Sequence, residues 1–86
     1  MYFTYVLKSE HDSKLYIGFT NDLQKRVEEH HQGAVASTAN RGPLKLVYYE
    51  ACLNAEDALK REKYFKTGFG RRFLKNRLES YMEDIY

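Results

Sequence analysis

Residues 2–20 read YFTYVLKSEHDSKLYIGFT, and this stretch decides the fold. Tyr2 to Leu7 alternates aromatic and β-branched residues in the period-2 pattern of a half-buried strand. Leu15 to Phe19 repeats that composition, and the polar His11-Asp12-Ser13 between them suits a turn, so the two segments predict a β-hairpin. Downstream, Thr20 or Asn21 is placed to cap a helix with Asp22 in its first turn, running to about Gln32 and stopping at Gly33. Residues 34–43, with Ser37-Thr38, Asn40-Arg41 and Gly42-Pro43, have loop composition, and Leu44 to Ala51 predicts a third strand. Asn54 with Asp57 three residues on resembles a capping box opening a second helix to about Lys66. Gly68 and Gly70 break that helix, and Arg71 to about Met82 predicts a third. The order β-β-α-β-α-α implies an α+β fold, a small three-stranded, mostly antiparallel sheet flanked by helices.

The chain has 86 residues, which predicts one domain spanning 1–86 with no internal boundary, repeat or low-complexity linker. A chain of this length buries about 60–65% of its unfolded surface, enough for one core but not for a core and a deep internal pocket. Any active site is therefore expected in a surface groove. At 43% hydrophobic and 30% charged, the composition excludes disorder. The single cysteine, Cys52, cannot form an intrachain disulfide and is read as a small buried hydrophobe, and no Cys/His cluster has zinc-site spacing. No apolar run reaches the roughly 20 residues of a membrane span. Met1-Tyr2-Phe3-Thr4-Tyr5 lacks the features of a signal peptide. These features point to a reduced, cytoplasmic protein with no membrane role.

The net charge of +2 hides a polarised distribution. Residues 1–59 carry −2 and residues 78–86 carry −3, whereas residues 60–77 carry +7. In that block Lys60, Arg61, Lys63, Lys66, Arg71, Arg72, Lys75 and Arg77 face Glu62 alone, interleaved with Tyr64, Phe65, Phe69 and Phe73. Clustered cations attract phosphate, and interleaved rings offer surfaces for bases or sugars. A charge run alone is more often a solvated helix face whose lysine stems cover apolar surface. Further polar residues weigh against that bland reading.

In the first helix Leu23 and Val27 define the buried stripe, and Arg26 and His30 share a face directed at or beside the sheet. A lone histidine there is usually a hydrogen-bonded core residue, but an inward arginine beside it is costly to bury unpaired. In the second helix Ala55, Ala58, Leu59 and Phe65 form the stripe, and Glu62 projects into the middle of it. That carboxylate needs a partner: a salt bridge to Arg26 or a neighbouring lysine, protonation, or a cation. A single carboxylate suits Mg²⁺, which keeps most of its waters and takes substrate phosphate as a ligand. Tyr5 and Tyr16 lie on adjacent strands, and Gly18 inside the second strand marks a bulge or a close approach. Together these predict phenols, a guanidinium, an imidazole and a carboxylate on one side of the sheet.

On these residues the chain resembles the GIY-YIG nuclease domain family, in its small stand-alone bacterial form, over essentially its whole length. The second motif stands intact as Tyr16-Ile17-Gly18, and the first survives as Phe3-Thr4-Tyr5, keeping its tyrosine. Tyr5 and Tyr16 are eleven residues apart, Arg26 follows ten after Tyr16, His30 four after that, and Glu62 lies on the next helix. The third strand matches a Gly-Pro-x-x-Leu-Val-Tyr pattern as Gly42-Pro43-Leu44-Lys45-Leu46-Val47-Tyr48.

The resemblance implies hydrolysis of DNA phosphodiester bonds with Mg²⁺ or Mn²⁺. It assigns proton abstraction from water to Tyr5 or Tyr16, orientation of a tyrosine hydroxyl or receipt of its proton to His30, phosphate charge to Arg26 and the metal to Glu62. Gly18 would permit close approach of backbone and substrate. Asn76 is a further candidate, matching an asparagine that many relatives carry after the metal helix. DNA would be held by Arg41, Lys60, Arg61, Lys63, Lys66, Arg71, Arg72 and Lys75. Many relatives add a DNA-targeting domain; here structure-selective or weakly sequence-specific cutting is expected, of DNA that includes branched or damaged forms, with a protein partner for targeting. Kinship alone suggests DNA repair. The alternative is a nucleic-acid-binding module of the same fold with weak or no turnover. A protein-interaction domain leaves inward Arg26, His30 and Glu62 unexplained.

Overall fold

The computed structural model describes residues 1–83, so Asp84 lies outside the described residues. Strands β1 (Tyr2–Ser9), β2 (Leu15–Thr20) and β3 (Leu44–Cys52) form one sheet in the order β2-β1-β3, antiparallel at both seams. The predicted hairpin is present, with Ser13 at a left-handed φ of 62° and the Asp12 carboxylate accepting from the Lys14 amide at 2.9 Å. Ser13 can hold that conformation because Asp12 and the buried Ser9 hydroxyl satisfy the turn's amides.

Alternation along β1 sends its neighbours to opposite faces. Tyr5 and Leu7 pack with Leu44, Leu23, Val27 and Leu46, so α1 (Leu23–His31) covers one face. Val6 packs with Phe65 and Leu74, and the Thr4 hydroxyl donates to the Ala58 carbonyl at 2.6 Å, so α2 (Ala55–Phe65) and α3 (Gly68–Arg77) cover the other. Fully burying a side chain such as Phe65 contributes about 1.5–3 kcal/mol. A short α4 (Glu79–Glu83) follows. Among the described residues no helix is long and apolar enough to cross a membrane.

Several sequence expectations need correction. Asp22, rather than Thr20 or Asn21, caps α1, its carboxylate accepting from the Lys25 amide at 3.2 Å. Asn54 caps α2 as expected. The third helix starts three residues early, at Gly68, because the Thr67 hydroxyl accepts from the Gly70 amide and nucleates the turn. Gly70 is there for packing: a Cβ on it would fall on the Tyr64 carbonyl at the end of α2. The chain then turns at Leu78, so the predicted span to Met82 is two helices. Leu59 is 39% exposed, outside the buried stripe of α2, and Cys52 is half-buried, its thiol donating to the Asn54 carbonyl.

Arg61 is also not a free cation. Its Nε and Nη2 donate to the two Glu50 oxygens, both at 2.8 Å, while its guanidinium lies over the rings of Tyr64, Phe65 and Phe73 at 4.6–5.2 Å. That bidentate, stacked geometry fastens α2 to β3 and holds the Glu50 carboxyl below its usual range.

Candidate active site

The edge strand β2 forms the spine of a groove of about 1010 Å³. Leu15 through Phe19 all line it, so both faces of the strand contribute wall. Tyr5, Tyr16, Gly18, Arg26, His30 and Glu62 line it together, and Arg41, Lys66 and Arg71 line it as well. The expectation of a single sheet face is wrong in detail. Arg26 and His30 come from α1 on one face, Glu62 comes from α2 on the other, and they meet around β2, which is an edge strand among the described residues.

A hydrogen-bonded chain organises the α1 side. Arg26 Nε donates to the Tyr5 hydroxyl at 3.4 Å, Tyr5 Oη lies 2.8 Å from His30 Nε2, and His30 Nδ1 lies 2.7 Å from Thr38 Oγ1. Thr38 in turn donates to the Val35 carbonyl at 3.5 Å. Where the Thr38 hydroxyl donates to the Val35 carbonyl, it accepts from His30 Nδ1–H. Neutral His30 then has a bare Nε2, and the Tyr5 hydroxyl donates to it while accepting from Arg26.

Burial keeps Tyr5 and His30 in their neutral forms. Tyr5 is 2% exposed and His30 6%. Burial pushes the Tyr5 hydroxyl above its usual range, against the opposing pull of the Arg26 guanidinium, and the Glu62 charge adds to the rise. Burial also pushes the His30 imidazole down, and the Arg26 charge pushes it further. Gly18 pairs with Tyr5 across the β1–β2 seam, and a Cβ at Gly18 would fall on the Tyr5 hydroxyl. The missing side chain is the space in which that hydroxyl sits.

On the α2 side, the Glu62 carboxylate lies 3.6 Å from Lys66 Nζ, one turn on, so the neighbouring-lysine partner is present while Arg26 pairs with Glu29 at 3.6 Å. Among the described residues there is no group of three or more His, Cys, Asp or Glu able to hold a metal. One carboxylate lining an open groove that Tyr5 and Tyr16 also line is a sparse oxygen donor set. It fits a hard cation that completes its shell with water and phosphate, and does not fit zinc.

The remaining predicted DNA contacts divide. Arg41, Lys66 and Arg71 reach the groove; Arg72 and Lys75 line a neighbouring one; Lys60 and Lys63 are exposed on α2 and line neither; Arg61 is held by Glu50. Asn76 is exposed on α3 and does not line the groove. Thr38 is buried and joins the chain, and no motif in the sequence singles it out. It lies in the 34–43 loop, whose only sequence signal is polarity; the loop is fixed from β1 by the Ser9 hydroxyl donating to the Arg41 carbonyl at 2.6 Å.

A sequence model described as the GIY-YIG catalytic domain matches residues 1–77. The chain is 46% identical over 67 residues to the UPF0213 protein CPE1444 of Clostridium perfringens, covering 77% of this chain and 71% of that protein. It is 36% identical over 84 residues to the UPF0213 protein YazA of Bacillus subtilis, covering 96% of this chain and 79% of that one. The solution NMR structure of the UPF0213 protein BH0048 from Bacillus halodurans superposes with a TM-score of 0.54 at 31% identity, covering 94% of this chain and 85% of that one.

Proposed function

The chain belongs to the GIY-YIG catalytic domain family, and from that premise we propose that it is a divalent-metal-dependent endonuclease hydrolysing phosphodiester bonds in DNA. The observation that supports this most is the convergence of Tyr5, Tyr16, Arg26, His30 and Glu62 on one groove from four different elements. In the reaction, water attacks phosphorus, the ester P–O bond breaks, and one water proton must leave. Tyr5 takes that proton on its oxygen as it passes its own to His30 Nε2, so the net base is a neutral imidazole and no free phenolate is needed. Thr38 holds the ring in the accepting tautomer. Arg26 faces the phosphate and stabilises the charge that builds on it, a role suited to a preorganised guanidinium. Tyr16 supplies a second hydroxyl on the same wall, and Arg41, Lys66 and Arg71 hold flanking phosphates.

Glu62 would hold Mg²⁺ or Mn²⁺, whose charge polarises the phosphate and stabilises the leaving oxygen. Lys66 is free to leave Glu62 for a phosphate, since its own side chain is 53% exposed. The binding-module alternative draws support from that same ion pair, because Lys66 already neutralises Glu62. Incubating the protein with duplex, flap, branched and single-stranded DNA and RNA, in Mg²⁺ or Mn²⁺, separates the readings. Metal-dependent cutting of DNA supports the enzyme. Salt-sensitive binding without cutting supports the module and overturns the nuclease.

A further inference from the structure

Lys8 is 8% exposed, and a lysine is almost never buried to that degree without an anionic partner. Among the described residues the ion pairs are Arg26–Glu29, Arg61–Glu50 and Lys66–Glu62, and Lys8 belongs to none of them. Its Nζ lies 5.9 Å from the centroid of the Tyr81 ring, and Lys45 Nζ lies 5.6 Å from the same centroid. Lys8 and Lys45 are also register partners across the β1–β3 seam. Like charges directly opposite on neighbouring strands repel, and one shared ring is a weak counterpart for two cations. No fully buried side-chain nitrogen among the described residues lacks a hydrogen-bond partner, so the Lys8 ammonium keeps an opening to solvent. The cavity that Lys8 lines is a second groove of about 800 Å³, which Arg71, Arg72, Lys75 and Glu79 line with it. Four cations there meet one carboxylate. Leu15 and Met82 also line the groove, and apolar walls strengthen the pull of those cations on an anion.

We infer that the second groove is a phosphate-binding site, with Lys8 as its buried ligand and Arg71, Arg72 and Lys75 as its exposed ones. A phosphate carries acceptor oxygens on several sides, so it can accept from an ammonium within the groove and from guanidinium forks at the surface together. Its charge also offsets the repulsion between Lys8 and Lys45, which nothing else described in the fold does. Glu79 opposes the anion and sets a limit on its affinity. The site is separate from the catalytic one: Lys8, Arg72 and Lys75 do not line the catalytic groove, and Tyr5, Arg26 and Glu62 do not line this one. It does not depend on the nuclease reading. The same chemistry serves a backbone phosphate of a nucleic acid and the phosphate of a free nucleotide.

The test follows backbone amide shifts of the full chain by NMR, in EDTA, as inorganic phosphate replaces chloride at constant ionic strength. Saturable shifts are expected at Lys8, Gly68, Arg72 and Lys75. Lys8→Met keeps the apolar stem and removes the charge; its phosphate affinity falls at least about 10-fold, the loss of one charge-assisted hydrogen bond, while its urea midpoint in phosphate-free buffer holds or rises. Arg72→Gln, at an exposed position, also weakens binding and gives the result should Lys8→Met not fold, and Glu79→Gln tightens it. Tighter binding of a thymidine oligonucleotide lacking terminal phosphates than of thymidine 5′-monophosphate assigns the site to a nucleic-acid backbone; the reverse order assigns it to a free nucleotide. Shifts no larger than in chloride, shifts confined to the catalytic groove, or phosphate affinity unchanged in both Lys8→Met and Arg72→Gln overturn the site and leave the nuclease reading intact.

Discussion

Replacing Gly18 with alanine tests how the Tyr5 hydroxyl is held. Gly18 and Tyr5 are register partners on β2 and β1, and a Cβ at position 18 would fall on the Tyr5 hydroxyl and ring. Tyr5 has no easy retreat. It is 2% exposed, its hydroxyl lies 2.8 Å from His30 Nε2, and it packs with Leu7 and Leu44. Forcing a methyl group into such a site costs about 1–3 kcal/mol in overpacking. Displacing the hydroxyl leaves the buried His30 nitrogen unpaired, a further cost of about 1 kcal/mol. The lower backbone entropy of alanine returns up to about 1 kcal/mol. The net loss is about 1–3 kcal/mol, read as a fall of about 0.7–2 M in the urea midpoint at an m-value of about 1.5 kcal/mol/M. A variant within about 0.5 kcal/mol of wild type, with the Tyr5–His30 hydrogen bond still visible by NMR, would refute the packing argument.

Two further outcomes follow from the same geometry. His30 has its folded pKa held below the ordinary 6.5, so the stability it supplies is present above that pH and is lost as pH falls through the lowered value; urea midpoints at pH 7.5 and 5.0 should diverge more in wild type than in His30→Gln, and equal divergence contradicts a buried neutral imidazole. Arg61→Lys keeps the charge but removes the bidentate pair with Glu50 and the stacking, so stability falls by about 1–2 kcal/mol while DNA affinity holds, whereas Arg71→Ala weakens DNA binding and flattens its salt dependence; affinity falling with Arg61→Lys at unchanged stability contradicts its structural role.

Much of this arrangement is legible in the chain because it obeys short periods. Alternation reveals β1 and β2, and the 3.6-residue repeat puts Arg26 beside His30 before any contact is known. The errors arise where tertiary packing assigns a residue its task. Gly70 reads as a helix breaker, yet it lies inside α3 because only hydrogen fits against the Tyr64 carbonyl. Arg61 reads as a phosphate ligand, yet the β3–α2 packing delivers Glu50 to it. Leu59 has the right residue type for the core but lies beyond what the sheet and α3 cover. Thr38 carries no periodic signal at all, since a loop places it, and Glu62 reaches the groove from the face opposite α1, which periodicity along one helix cannot reveal.

The most direct test of the nuclease account compares wild type with Glu62→Ala on duplex, flap, branched and single-stranded DNA, with and without Mg²⁺, after matched urea midpoints establish that both are folded. Mg²⁺-dependent strand cleavage by wild type, lost in Glu62→Ala while EDTA-state DNA binding persists, is the predicted result. Equal cleavage by both proteins, or none by wild type in either Mg²⁺ or Mn²⁺, contradicts it.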